Sequence, residues 1–185
     1  MIAETERLVI RNWKKSDQAF FHHINSDDRV MEFFALRRDR RQSDALLEWL
    51  IGDIDKTGYG FFALETKADG QPVGFAGLSM PNFEPLPPES VEIGWRLGAD
   101  FWGQGYATEA ARELLRFGFE EKGLEEIVSF AVPENTRSLA VMTRIGMAPD
   151  PSRDFDHPKV PDTHPHLKRH VLYAISEQDW RRLIN

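Results

Sequence analysis

The sequence predicts an α+β protein folded as one domain over residues 1–185, on the strength of three local patterns. Residues 59–65 and 72–80 are strand-like runs joined by Lys67-Ala68-Asp69-Gly70, whose Asp-Gly pair tolerates the positive φ of a hairpin turn. Residues 90–97 alternate without a break: Val91, Ile93, Trp95 and Leu97 fall on one face, Glu92, Gly94 and Arg96 on the other. Through the middle of the chain strand and helix patterns then take turns, as they do where helices cover a sheet.

Composition narrows the class. A hydrophobic content of 41% against 29% charged residues is enough to bury a real core. Residues Met1 to Arg7 include acids where a secretory signal needs an apolar run, and no later stretch is long and apolar enough to span a bilayer. The expectation is a cytoplasmic protein without membrane contact. The absence of cysteine excludes disulfides, a thiol nucleophile and Cys-based zinc sites. A formal charge of −7 repels polyanions, and the basic cluster Arg37-Arg38-Asp39-Arg40-Arg41 reads as a solvated loop rather than a nucleic-acid site.

In chain order, residues 7–13 form a first strand, and Ser16 or Asp17 can cap the helix that follows. A second helix is expected over 43–55, with Leu46, Leu47, Leu50, Ile51 and Ile54 at helical spacing and Gly58 beyond its end. After the hairpin, Pro81 to Pro88 is a stiff exposed loop, because its four prolines fix φ and remove backbone donors. The alternating strand 90–97 turns through 98–106 into a helix over 107–119, whose Ala110, Ala111, Leu114, Leu115 and Gly118 suit close packing on a sheet. Residues 126–132 form a fifth strand. A fourth helix follows Pro133-Glu134-Asn135, carries Leu139, Val141, Met142 and Ile145, and ends at Gly146. Residues 147–167 are an irregular excursion rich in Pro, Asp and His, and 168–175 a last strand before a capped helical turn at 176–179.

The most informative stretch is Trp102-Gly103-Gln104-Gly105-Tyr106-Ala107-Thr108, which joins a strand to a helix. Glycine has no β-carbon, so the backbone can fold tightly and aim successive N–H groups at one point. With the positive end of the helix dipole, these donors suit a phosphate or pyrophosphate. A tight turn needed only for packing is the plainer alternative. A P-loop would require Gly-Lys-Ser/Thr, and a dinucleotide fingerprint a small residue at Thr108 and an acid closing the next strand, where Val132 and Pro133 stand.

With W-G-Q-G-Y-A-T-E-A at 102–110, N-x-x-S at 135–138, Ile145-Gly146-Met147 and this order of elements, nearly the whole chain resembles the GNAT acetyltransferases. V-E-I-G-W at 91–95 and F-W-G-Q-G-Y-A-T-E-A at 101–110 are most similar to the branch of the ribosomal-protein N-terminal acetyltransferases. The resemblance implies a mixed, mostly antiparallel twisted sheet of six to seven strands with about four helices on both faces, splayed between the fourth and fifth strands. It implies acetyl-CoA as acetyl donor, no metal, and a primary amine, on a small molecule or a protein N-terminus, as recipient; dimers occur among relatives. The backbone from Ile93 through Trp95 and Arg96 to Leu97 would pair with pantetheine. The turn of Trp102, Gly103, Gln104, Gly105, Tyr106, Ala107 and Thr108 would hold the pyrophosphate, and Asn135, Ser138 and Met142 would line the far wall. Asn135 could equally serve only as a helix cap.

The implied chemistry is direct attack of a neutral amine on the thioester, in keeping with the lack of cysteine. Supplying a neutral lysine side chain at pH 7 costs about 4 to 5 kcal/mol, an α-amino group only about 1. Glu92 is the candidate base, lying on the strand beside the thioester and pointing away from the apolar face; pairing with a charged neighbour, such as Arg96 or a residue on an adjacent strand, is the plainer alternative. Met142 stands where many relatives carry a proton-donating tyrosine, so Ser138 is the nearest hydroxyl for that task. That gap leaves open a second reading, a catalytically silent acyl-CoA-binding module of the same fold. His157, His164, His166 and His170 read as part of a loop shaping the amine site, together with Phe33, Phe34 and Phe83, rather than as metal ligands.

Overall fold

The structure, a computed structural model, describes residues 2–184; Met1 and Asn185 lie outside it. Its centre is one sheet whose strands are β1 (Ala3–Glu4), β2 (Leu8–Arg11), β3 (Gly60–Thr66), β4 (Pro72–Ser79), β5 (Glu92–Leu97), β6 (Glu126–Ala131), β7 (Ala148–Pro149) and β9 (Arg169–Ser176), with β8 (Phe155–Asp156) paired to β9 off the main path. The order is β1-β2-β3-β4-β5-β6-β9-β7. Every pair is antiparallel except β5 with β6. The two-residue strands β1, β7 and β8 enlarge the expected sheet; they were too short to show a period in the sequence.

The hairpin β3–β4 forms as expected, with Gly70 at φ 67 in its turn. Helix α1 (Gln18–Ser26) starts one step later than the sequence suggests, because Asp17 closes a 3-10 turn instead. Its buried carboxylate accepts from the Lys14 backbone N–H at 2.7 Å and from Arg11 at 2.7 and 3.0 Å, while the Arg11 Nε donates to Glu65 at 2.8 Å. This network pins the start of α1 to β2 and β3, and each buried charge has its counter-charge.

Helix α2 (Arg40–Thr57) is longer at both ends than the apolar spacing indicated. Asp39 caps it, accepting from Gln42 N–H at 2.8 Å while Gln42 Oε1 accepts from Asp39 N–H, and Gly58 ends it in the left-handed region. The reading of 37–41 as a solvated loop is therefore corrected: Arg40 and Arg41 are the first residues of a helix. Helix α3 (Tyr106–Arg116) gives way to a π turn, Phe117–Glu121. Helix α4 (Thr136–Arg144) is capped by Asn135, and Gly146 (φ 89) follows its end. The expected final turn is a full helix, α5 (Glu177–Ile184); Ser176 Oγ accepts from Asp179 N–H, and the buried Trp180 packs against Phe119 at 5.3 Å.

Helices cover both faces. Trp13 and Phe21 meet Phe75 at centroid distances of 6.0 and 5.7 Å, so α1 and its neighbours lie over the face that carries Phe61, Phe75, Glu92 and Arg96. Gly118, just after α3, lies so close to Leu78 and Ile127 on the opposite face that a Cβ would come within 2.7 Å of Ile127. Among the described residues no helix is long and apolar enough to cross a membrane.

Candidate active site

The functional geometry begins where the sheet opens. Strands β5 and β6 are in register only at Glu92 and Val128, where Val128 N–H donates to Val91 O at 2.9 Å, and then part. At the fork Ser129, buried, donates its hydroxyl proton to Ile93 O at 2.9 Å. That bond occupies a carbonyl which the missing strand neighbour would otherwise satisfy. A cleft of ≈ 2490 Å³ runs through the opening, lined by Glu92, Gly94, Arg96 and Phe83 towards one face and by Asn135, Ser138, Met142 and the 102–108 turn (Gln104 excepted) towards the other.

The turn has the predicted form. Gly103 and Gly105 take φ of 75 and 83, in the region that disfavours a Cβ, and Gly105 is the N-cap of α3. No backbone carbonyl among the described residues accepts from the N–H groups of Gly103 to Thr108. A run of free donors at a helix N-terminus, open to a cleft, fits a pyrophosphate. Trp102 braces the turn, its indole N–H donating to Leu97 O at 3.0 Å, and Arg137 lies 4.2 Å over its ring while pairing with Glu32 at 2.8 Å.

A second brace lay beyond the sequence reading. Glu109 accepts from Thr5 Oγ1 at 2.5 Å, from Arg7 N–H at 2.8 Å and from the Arg7 guanidinium at 2.7 Å. Arg7 also donates to Gln104 O at 2.9 Å and lies 4.8 Å over the Tyr106 ring. The N-terminal segment thus clamps the turn from behind. Glu109 stood inside the quoted motif, so a signal existed; nothing in sequence spacing joined it to Arg7, about a hundred residues away.

Glu92 is half-buried, and among the described residues it forms no ion pair. Ser79 Oγ donates to it at 3.3 Å, and Oε1 leans over Gly94, 3.6 Å from where a Cβ would sit. The alternative that Glu92 pairs with Arg96 is not what the structure shows: Arg96 donates to Asn25 Oδ1 at 2.6 Å instead. Burial pushes the Glu92 carboxyl up to about 7, against the lowering effects of the Ser79 bond and the Lys159 charge.

Of the far-wall residues, Asn135 does cap α4, its Oδ1 accepting from Ser138 N–H at 3.2 Å, and it also lines the cleft. Ser138 is half-buried beside it, and Met142 is buried, presenting a thioether where no proton can be given. His157 and His170 belong to an aromatic cluster with Phe83, Phe130 and Phe155; His157 lies 4.6 Å from Phe83. Burial, with the nearby charges of His170 and Lys159, holds His157 down to about 4, so it is neutral at pH 7. His164 and His166 lie apart from them, 6.1 Å from each other.

An open sheet with a phosphate-type turn at the end of its splayed strand defines a class, and the family comparison names it. Residues 7–148 match the acetyltransferase (GNAT) domain, and the chain belongs to that family of acyltransferases. It is 36% identical, over 95% of its length and 97% of the relative's, to the Bacillus subtilis (strain 168) protein named "Uncharacterized N-acetyltransferase YnaD". It is 29% identical over 97% of its length to the "FsC-acetyl coenzyme A-N(2)-transacetylase" of Aspergillus fumigatus, covering 77% of that protein. Among solved structures, a GNAT-family acetyltransferase from Bacillus anthracis superposes with a TM-score of 0.79 at 27% identity, over 96% of this chain and 99% of the other.

Proposed function

We propose that the protein moves an acetyl group from acetyl-CoA directly onto a primary amine, with both substrates bound together. The observation that carries this reading is a half-buried carboxylate, Glu92, without a cation partner among the described residues, in the same cleft as the free amides of the 103–108 turn. Those amides would hold the pyrophosphate, and the unpaired edge of β5 beyond Glu92 would bond the pantetheine amides. Glu92, with a pKa of about 7, takes the proton that the ammonium must lose. The amine nitrogen then bonds to the thioester carbon, the carbon–sulfur bond breaks, CoA departs as a thiolate, and the nitrogen loses its second proton, the equivalent of the one that sulfur gains. Free N–H groups of the splayed strand can bear the transient oxyanion. Ser138 is the hydroxyl assigned to return a proton to sulfur.

The buried Met142 favours a second reading, an acyl-CoA-binding module without turnover. Following thiol release with acetyl-CoA and a panel of amines separates the two. Turnover with any amine supports the enzyme, whereas tight CoA binding with no turnover on the whole panel leaves the silent module.

A further inference from the structure

On the Glu92 face of the cleft, Arg96 has no counter-ion among the described residues. Arg96 Nη1 donates to Asn25 Oδ1 at 2.6 Å, but among the described residues its buried Nε has no hydrogen-bond partner and Nη2 makes no bond. Nε and Nη2 form the edge of the guanidinium that a carboxylate or phosphate bridges with two parallel bonds. Phe34 lies 4.1 Å over the guanidinium and Phe75 5.3 Å; Phe34 is 42% exposed, and a ligand reaches the buried Nε by turning that ring aside.

Arg38 is next to it. Its backbone N–H donates to Asn25 O at 3.0 Å, and its half-buried side chain, which also lines the cleft, makes no hydrogen bond or ion pair among the described residues. Asn25 is fully buried and so holds both arginines, donating its own amide to Phe21 O at 2.7 Å. The surrounding acids are committed elsewhere: Asp27 pairs with Arg29 and Asp28 with Arg37. Burial and the charge of Arg38 hold Arg96 down to about 9, and burial lowers Arg38 also. In a chain of charge −7, two half-buried cations with no carboxylate partner among the described residues are costly unless a ligand brings one.

We infer that Arg96 and Arg38 form an anion subsite, and that the amine substrate is a small elongated molecule carrying a carboxylate at the end opposite its nitrogen. This rests on the acetyl transfer proposed above. Glu92 and Arg96 share a face of β5 four residues apart, about 13 Å between Cα atoms at strand rise. An amine at Glu92 and a carboxylate at Arg96 are therefore separated by a chain of several bonds, as in ω-amino acids and short peptides, and a polyamine would place a second cation against two arginines.

The test pairs substrates of equal length. Acetylation of 8-aminooctanoate is compared with that of 1,8-diaminooctane and of octylamine, in the parent protein and in Arg38→Gln, Arg96→Gln and Arg96→Lys. The expected result is a kcat/KM for 8-aminooctanoate at least about tenfold above the diamine, carried by KM, a ratio that falls towards one in both Gln variants and is partly kept in Arg96→Lys. Preference for the diamine, or a ratio unmoved by Arg38→Gln and Arg96→Gln, overturns the subsite while leaving acetyl transfer standing. Should no amine turn over, transfer fails, and calorimetry of 8-aminooctanoate with CoA present decides the subsite alone: binding lost in Arg38→Gln upholds it, and no binding or equal binding refutes it.

Discussion

Glu92 shows how one side chain's setting decides its use. A carboxylate poised near pH 7 can accept a proton from a bound ammonium and release it again. Glu92→Gln is expected to slow acetylation at neutral pH with little change in CoA affinity, and the parent's kcat/KM is expected to rise with pH through about 7; a flat profile from pH 5.5 to 8.5 would remove Glu92 as base. The same group affects stability. Between the ordinary value of 4.5 and about 7 the folded chain holds a proton that the unfolded chain has lost, so this group's effect is a loss of stability as pH rises through that window. Gly105 is the other decisive position. With φ 83 and Arg7 Nη2 3.3 Å from a would-be Cβ, Gly105→Asp strains the backbone and puts negative charge where phosphate should sit. Calorimetry should show severely weakened CoA binding.

At the scale of elements, the split between β5 and β6 and the two helix starts beside it make the site. Ser129 closes the fork by a single bond to Ile93 O, and Ser129→Ala leaves that carbonyl without its partner. Because the hydroxyl acts through the strand, the expected outcome is a raised KM for acetyl-CoA with a smaller change in kcat, measured by thiol release. Helix α4 begins at Asn135, and Asn135→Ala should lower stability by about 1 kcal/mol in denaturant melts, the usual cost of an N-cap. A loss of CoA affinity beyond that destabilisation would show that Asn135 also meets the cofactor. Most of these elements were legible in the sequence, since the hairpin, the alternating strand and the Gly-ended helices are fixed by local period and turn chemistry. The extents of α2 and α5 were not. Asp39 caps α2 beyond its apolar stripe, and α5 holds because one indole, Trp180, reaches the core.

For the whole molecule, charge organisation matters more than net charge. Half-buried His157 is neutral in an aromatic cluster, and its value of about 4 lies below the ordinary 6.5. The unfolded chain therefore binds a proton first as pH falls, and stability is lost from about pH 6.5 down to 4. A His157→Phe variant should lose less of its melting temperature between pH 7 and 5 than the parent does; equal losses would mean that other groups control acid unfolding. By itself, the sequence determined the α+β pattern, the glycine turn and the side of the strand on which Glu92 lies, because each depends on neighbours a few residues away. Only the tertiary structure decided that Glu92 has no cation partner among the described residues, that Thr5 and Arg7 clamp Glu109, and that Asn25 gathers Arg38 and Arg96. Those contacts join residues far apart in the chain, and burial, which sets their charges, exists only once the chain has folded around them.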